Sequence, residues 1–565
     1  MADTSNIFCR ILFDVLEQKG VRNIVCSPGS RNVPLLMAAE ARKSIKKFFA
    51  IDERTAAFMA LGICMVKQEP VGLVCTSGTA LLNYAPAIAE AYYQKLPLIV
   101  ISADRPSQWI DQDDSQTLRQ EGVLSNFVNA SYSIPAFGLQ ENEMQWYVNR
   151  ITNDAVLSAC GKAAGPVHIN IHLAEPLNAT SSLPLPHQRT ILSLEGDTLA
   201  NKEVIRELVK RLKKAKVLVV AGFSLPDSFL QKEINRFARF TNVTVMAETI
   251  SNLHLKENDN SIDSVLTAYE ADYLDKFTPD IVISFGGALV SRKLKEYLRR
   301  NSSNISHWAI GYTHSLSDPF MNLELKIETP PERFFKSISS ALYKLKVDEE
   351  VSDYQKKWEE LRHKALKLKN SFIESCDWSE LKAFDYILKN ITRDYNLFIS
   401  NGTPIRYAQI IQYALPHASY CNRGVSGIDG CFSTAIGGAL AYKGKTLMIT
   451  GDLSLAYDIG GFCIKETPEN FKLIVIDNQG GGIFRFIPTT SSLSLREEYL
   501  CMPPLLPLVQ LAEGYGWNYF EADSLGALKH NFKEFLENPH KSLLKIICNG
   551  HESAEILKNY MALKV

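Results

Sequence analysis

Short unbroken runs of Val, Ile and Leu recur along the chain, each closed by Gly, Ser, Asn or Asp and followed by residues with helical spacing. VRNIVCSPGS, VGLVCTSGT, LPLIVISADRP and GPVHINIHL read as buried strands in the first third. AKVLVVAGFS, VTVMAETI and DIVISFGGAL do so in the middle, and NLFISNG, KTLMITGD, FKLIVIDNQGG and LLKIICNG in the last third. Strands apolar on both faces and alternating with helices belong to parallel sheets covered on both sides. The pattern therefore predicts an α/β protein of three successive doubly wound parallel-sheet domains, over residues 1–178, 189–345 and 373–565. Residues 174–189 are rich in Pro, Ser and Thr and read as a linker. Residues 348–372 are charged and amphipathic and read as a solvated connecting helix, and the lysines of 206–216 as the wet face of a helix. No short-period repeat is visible.

A chain of 565 residues exceeds what one hydrophobic core organises. Its formal net charge of −1 supplies no global field toward nucleic acid or an anionic membrane, so any anion recognition must be local. The longest apolar runs are strand-length, far short of a membrane span. Arg10, Asp14 and Glu17 interrupt the first segment at helical spacing, unlike a secretion signal. Eleven cysteines without a CxxC pair fit reduced thiols, and the expectation is a cytoplasmic protein. His168 and His172 share one strand face but lack a third ligand, which predicts structural roles. No GxGxxG follows the first strand, so a dinucleotide site has no support.

The most specific pattern begins at Gly451. KTLMITGD is a strand ending in Gly451-Asp452, and FKLIVIDNQGG is the next strand, ending at Asn478. Asp452 and Asn478 lie 26 residues apart, one crossover, which puts both at carboxyl ends of parallel strands where open α/β sheets bind ligands. A hard cation such as Mg²⁺, or Mn²⁺ in its place, wants oxygen ligands. Asp452 offers a carboxylate, Asn478 an amide oxygen and Gly480 a backbone carbonyl. The first turn after Asp452 leaves N–H groups at Leu453 and Ser454, with the Ser454 hydroxyl, to meet a diphosphate. The combination resembles the thiamine-diphosphate signature, which opens with GD and closes with Asn about one crossover later.

That cofactor needs a carboxylic acid on its aminopyrimidine nitrogen, in a partly buried place that favours proton sharing. Glu53, at a strand end running into an apolar helix in KKFFAIDERTAAFMALG, is the candidate; Asp52 beside it should point elsewhere. Ile428 in NRGVSGIDG is the candidate for the bulky residue that props the cofactor into its bent shape. In enzymes of this organisation the glutamate and the metal site lie on different domains, commonly of different subunits. That implies a homodimer or homotetramer with active sites at the subunit interface.

CSPGSRNVPL, DERTAAFMALG, CTSGTALLNYAPAIAEA, ISADRP, SQTLRQ, NRGVSGIDG, GDLSLAYD and DNQGGGIF resemble the synthases of 2-succinyl-5-enolpyruvyl-6-hydroxy-3-cyclohexene-1-carboxylate (SEPHCHC), a thiamine-diphosphate family of menaquinone biosynthesis. The middle third matches only through FGGALVSRKL. The resemblance implies decarboxylation of 2-oxoglutarate and conjugate addition of the remaining fragment to isochorismate. Both substrates are dicarboxylates, which suit arginine's planar fork. By resemblance Arg105, Ser115, Gln116, Arg292 and Lys293 would face isochorismate, and Arg31, Arg406 and Arg423 the substrate carboxylates. Arg31 and Gln116 would join Glu53 in catalysis. Phe484 and Ile487 would be apolar walls, while Ser30, Gly451, Gly481 and Ile483 would line the cofactor. The chain departs from the family in Gly402 of NGTPIR, where a serine is usual, in Ser115 before Gln116, where asparagine is usual, and in the order of Arg292-Lys293. The rival activities are those of related thiamine enzymes such as acetolactate synthase, against which the basic cluster argues, or of a silent binding homologue.

Overall fold

The structure is a computed structural model that describes residues 3–137, 140–193, 202–213, 215–240, 242–255, 261–344, 353–411 and 417–565. Residues 348–352 of the charged segment and residue 214 of the basic run lie outside these. The first sheet holds β1 (Asn23–Cys26), β2 (Lys46–Phe49), β3 (Val71–Cys75), β4 (Leu98–Asp104), β5 (Ala130–Ile134) and β6 (Val167–His172), in the order β2-β1-β3-β4-β6-β5. The second holds β7 (Val217–Ala221), β8 (Val243–Ala247), β9 (Ile281–Phe285), β10 (Ser306–Ile310) and β11 (Leu323–Ile327), in the order β8-β7-β9-β10-β11. The third holds β12 (Tyr395–Ile399), β13 (Ala418–Tyr420), β14 (Lys445–Gly451), β15 (Phe471–Asp477), β16 (Asn518–Ala522) and β17 (Ser542–Ile547), in the order β13-β12-β14-β15-β17-β16. Every pairing within the three sheets is parallel, so the expected α/β class with parallel sheets holds.

The first and third sheets thus share one strand order. In each, the order reverses beside the first strand, and the crevice outside the strand ends at that point is where such sheets take ligands. The central strands are buried along their whole length, as with VGLVC of β3 and LIVISAD of β4.

The two outer sheets meet through a pair of small-residue helices, α1 (Glu53–Lys67) and α2 (Cys431–Ala441). A Cβ on Gly62 would lie 1.9 Å from the Thr434 carbonyl oxygen, and one on Gly437 would lie 2.0 Å from that of Met59. Only glycine allows main chains to approach so closely.

The connecting helix is α-helical over Tyr354–Ser375, but it is not a solvated spacer. Tyr354, Trp358, Leu361 and Ala365 recur at helical spacing and are buried in the core on one face of the middle sheet. Lys210 and Lys216 of the basic run are exposed, as a wet face requires. His168 and His172 are structural. His168 Nε2 lies 2.8 Å from Ser102 Oγ, and burial lowers its pKa to about 4. His172 Nε2 lies 3.1 Å from Glu121 Oε1. All eleven cysteines are free.

Candidate functional site

The site is built from strand ends. In the third sheet Gly451 of β14 pairs with Ile476 of β15, so the residues that follow, Asp452 and Asn478, come out side by side. Asp452 opens the helix Asp452–Tyr457 and is buried. Its Oδ2 accepts from the Gly480 N–H at 2.8 Å and its Oδ1 from the Leu453 N–H at 2.6 Å. Burial outweighs these bonds and pushes its pKa up to about 7. Gly480 has φ +107°, and a Cβ there would strike the Cys501 carbonyl oxygen at 2.1 Å, so this turn requires glycine.

Asn478 is 2% exposed. Its Nδ2 donates to Glu380 Oε1 at 2.8 Å, while its Oδ1 is buried without a hydrogen-bond partner. An orphaned buried acceptor costs about 1–3 kcal/mol. Next to a buried carboxylate, that lone oxygen fits a hard divalent cation, which takes one or two protein side chains and fills its other positions from phosphate and water. Among the described residues no group of three His, Cys, Asp or Glu side chains could hold a metal instead.

Two expected anion donors are otherwise engaged. The Leu453 N–H is taken by the Asp452 side chain, and Ser454 Oγ donates to the Ile428 carbonyl at 2.6 Å. The Gly480 carbonyl accepts from the Gly482 N–H at 2.8 Å and keeps a second lone pair. Ile428 is half-buried rather than a core residue, on a loop that Glu90 of the first domain grips. The Glu90 carboxylate accepts from the Gly424 N–H at 2.6 Å and the Val425 N–H at 2.7 Å. Ile483 and Phe484 are half-buried in the short helix Ile483–Phe486 just beyond Gly481, and Ile487, which ends that helix, is half-buried too.

Glu53 is the first residue of α1 and half-buried. Asp52 is the helix cap, accepting from the Thr55 N–H at 3.1 Å, so the two neighbours do point differently. Burial and then the charge of Glu53 raise the Cys75 thiol, which puts the glutamate beside the end of β3. Within one chain no hydrogen bond or ion pair among the described residues joins Glu53 to Asp452 or Asn478.

The predicted cations form two groups. In the first domain Arg31 donates to the Leu173 carbonyl at 3.0 Å and pairs with Glu175 at 3.4 Å. Burial, and then the like charge of Arg105, lower its pKa. Arg105 holds the Ser115 carbonyl at 2.8 Å and Asp114 at 2.8 Å. Gln116, at φ +55°, lies against Gly78, where a Cβ would meet its carbonyl oxygen at 3.3 Å. Ser30 is exposed on the loop after β1.

The second group spans the middle and third domains. Arg423 donates to Asn401 Oδ1 at 3.1 Å and to the Leu289 carbonyl at 3.3 Å. Burial and then Arg423 lower the pKa of Arg406. Lys293 donates to Thr267 Oγ1 at 2.7 Å, and its pKa is lowered by burial with Asp263 opposing. Arg292 turns outward to Glu296 of its own helix at 2.7 Å. Gly402 has φ +93°, a conformation serine resists, so the departure from the usual serine goes with a backbone only glycine adopts freely.

Sequence reasoning missed Glu380, Glu90, Lys295 and the buried acids Glu248 and Asp263. Glu248 accepts from the Val290 and Ser291 N–H groups at 2.8 and 2.7 Å and is pushed by burial to about 7. Lys295 and Arg423 both carry charge toward it. Each of these acids looks in sequence like an ordinary helix or loop charge, and no spacing marks it.

Residues 8–124 match the family described as thiamine pyrophosphate enzyme, N-terminal TPP binding domain. The chain is accordingly a thiamine-pyrophosphate-dependent enzyme. It is 39% identical over 557 residues to the 2-succinyl-5-enolpyruvyl-6-hydroxy-3-cyclohexene-1-carboxylate synthase of Porphyromonas gingivalis, covering 97% of this chain and 96% of that one. The enzymes of the same name from Flavobacterium johnsoniae and Cytophaga hutchinsonii are 36% and 34% identical, each covering 97% of both chains. The chain belongs to the SEPHCHC synthase family of menaquinone biosynthesis.

Proposed function

We propose that the chain decarboxylates 2-oxoglutarate and joins the remaining four-carbon fragment to isochorismate, releasing CO₂ and SEPHCHC. The observation that carries this reading is the gathering of cations in a chain of net charge −1: Arg31 with Arg105 in one group, and Arg406 with Arg423 in the other. Burial, and then the neighbouring arginine, lower the pKa of Arg31 and of Arg406, and cations gathered in this way suit substrates that bring several carboxylates. Thiamine diphosphate, when bound, supplies the stabilised carbanion. Asp452, Asn478 and the Gly480 carbonyl hold Mg²⁺, or Mn²⁺ in its place, on its diphosphate. Glu53 holds a proton at the aminopyrimidine nitrogen, and Ile428 presses on the cofactor from the loop that Glu90 fixes. Arg105, Gln116 and Lys293 orient isochorismate, Arg292 joins them on leaving its outward pairing with Glu296, and Arg31, Arg406 and Arg423 neutralise carboxylates. Supplied with 2-oxoglutarate, isochorismate, thiamine diphosphate and Mg²⁺, the protein should release CO₂ and form SEPHCHC. Turnover of pyruvate alone would sink the assignment.

The active form is a homodimer, or a homotetramer built from it, in the cytoplasm. No helix among the described residues is long and apolar enough to cross a membrane. Support for self-association comes from the apolar side chains around Glu53 and the Asp452 helix. Ile51 is 76% exposed, and Phe49, Tyr457 and Ile459 are exposed too. The two segments adjoin, since Arg54 donates to the Tyr457 carbonyl at 2.8 Å. Exposed apolar side chains gathered in this way suit an interface, which this reading assigns to one between copies that brings the Glu53 of one subunit to the metal corner of the other. Ile51→Glu should shift the sedimenting species toward monomer and lower activity in parallel. A fully active monomer would refute the shared site.

A further inference from the structure

We infer that Glu380 is a positioning residue for the cation: its carboxylate turns the Asn478 side chain so that the amide oxygen faces the metal corner. The inference rests on the metal reading above. An asparagine amide has a donor end and an acceptor end, and rotation about its last bond exchanges them. Burial raises the pKa of Glu380, with its contacts to Asn478 and Thr403 and the charge of Arg485 opposing. As a carboxylate it only accepts, so the side of Asn478 that meets Glu380 Oε1 at 2.8 Å is the nitrogen, and Oδ1 is left buried and unpartnered. Without Glu380 the metal-free amide has no hydrogen bond that favours either orientation, and the cation must itself turn the oxygen inward at a cost in affinity.

The pair is anchored through its main chains, while Glu380 Oε2 is buried without a hydrogen-bond partner. Ser379 caps the helix Glu380–Asn390 by accepting from the Lys382 N–H, and the Glu380 N–H donates to Ser553 Oγ at 3.1 Å. The main chain at Asn478 is held by Arg485, whose guanidinium donates to the Asn478 carbonyl at 2.8 Å and to the Gln479 carbonyl at 2.8 Å. Gly482 leaves room for the contact, since a Cβ there would sit 2.5 Å from Asn478 Nδ2 and 3.5 Å from Glu380 Oε1. The residue that aims the ligand thus comes from the helix preceding β12, about a hundred positions upstream of the asparagine. Partners that orient metal ligands are worth about 10–100-fold in metal affinity.

The test is Mn²⁺ affinity in the presence of thiamine diphosphate, read from the free-ion electron paramagnetic resonance signal, on the full chain. Glu380→Leu, which removes the acceptor, should weaken Mn²⁺ binding by about 10–100-fold. Glu380→Gln, which keeps an acceptor oxygen but loses the charge, should stay much closer to the parent protein. Unchanged affinity in Glu380→Leu, or an equal loss in both variants, overturns the inference. Should the leucine variant fail to fold, a crystal of the Mn²⁺-loaded parent decides. Asn478 Oδ1 on the metal with Nδ2 still on Glu380 upholds the inference, and an asparagine turned away from Glu380 overturns it. Asp452→Ala separates the two levels: if that variant keeps its Mn²⁺ affinity, the metal reading itself fails, whereas a loss there with none in Glu380→Leu removes only the role of Glu380.

Discussion

Glu53→Gln should lower kcat by about 10²–10⁴-fold, the range that one positioned proton-transfer group contributes, while thiamine diphosphate and Mg²⁺ still bind. The physical basis is a separation of labour across the fold. Glu53 stands at the start of α1 on the first sheet, and the diphosphate corner stands on the third. Glutamine preserves the shape and the helix start but cannot exchange a proton. A calorimetric titration with cofactor, paired with single-turnover CO₂ release, distinguishes the outcomes. Full activity in the variant would eliminate the proton relay, and lost cofactor affinity would make Glu53 a binding group.

Asp452→Ala should show the opposite profile. Removing a ligand ought to exceed the 10–100-fold cost of removing a ligand's supporting partner, so Mg²⁺-dependent retention of thiamine diphosphate should fall by at least about 100-fold. The parent protein should also show a proton linkage. With the Asp452 pKa raised to about 7, the metal-free fold holds this carboxyl protonated at lower pH, and the cation must displace that proton. Mg²⁺ affinity should therefore climb about tenfold per pH unit below 7 and level off above it. The sign for folding follows from the same shift. A carboxyl whose folded pKa exceeds its unfolded value of about 3.9 binds more protons when folded. Its contribution to the metal-free protein is thus greatest at low pH and is lost as pH rises through 7. Equilibrium dialysis across pH 5.5–8.5 would check this, and a flat profile would place the metal on groups already ionised.

How much of this was legible in the chain depended on how each residue advertises itself. The central strands β1, β3, β4, β7, β9, β12, β14, β15 and β17 are buried on both faces, and their aliphatic runs show it. Edge strands were harder. KKFF of β2, ASYSI of β5 and NYFEA of β16 each have open positions and so lack a continuous apolar run, and of the three only KKFF is read as a strand end, before Glu53. The GD…N crossover was readable because β14 and β15 are sequential neighbours, which makes sequence spacing a measure of space. Glu380 was invisible for the opposite reason: a carboxylate one residue after a capping serine reads as a dipole partner. The grouping of Arg31 with Arg105, apart from Arg406 with Arg423, could not be inferred either, because it depends on how separate sheets are docked. The charges of the connecting helix point to a solvated spacer, yet Tyr354 and Trp358 seal it to the middle domain. A long helix can be charged on most of its circumference and still bury one stripe.

The glycine-tight crossing of α1 and α2 sets a rule for how this protein can change. With Gly62 against the backbone at Thr434 and Gly437 against the backbone at Met59, the spacing is fixed by main-chain radii, with no compressible side chain between. Enlarging either position alone demands a retreat of the facing helix, and with it of the Glu53 and Ile428 ends that those helices carry. The amino-terminal and carboxy-terminal thirds should therefore behave as a matched set: hybrids between relatives are expected to keep their geometry when both helices come from one parent and only the middle third is exchanged.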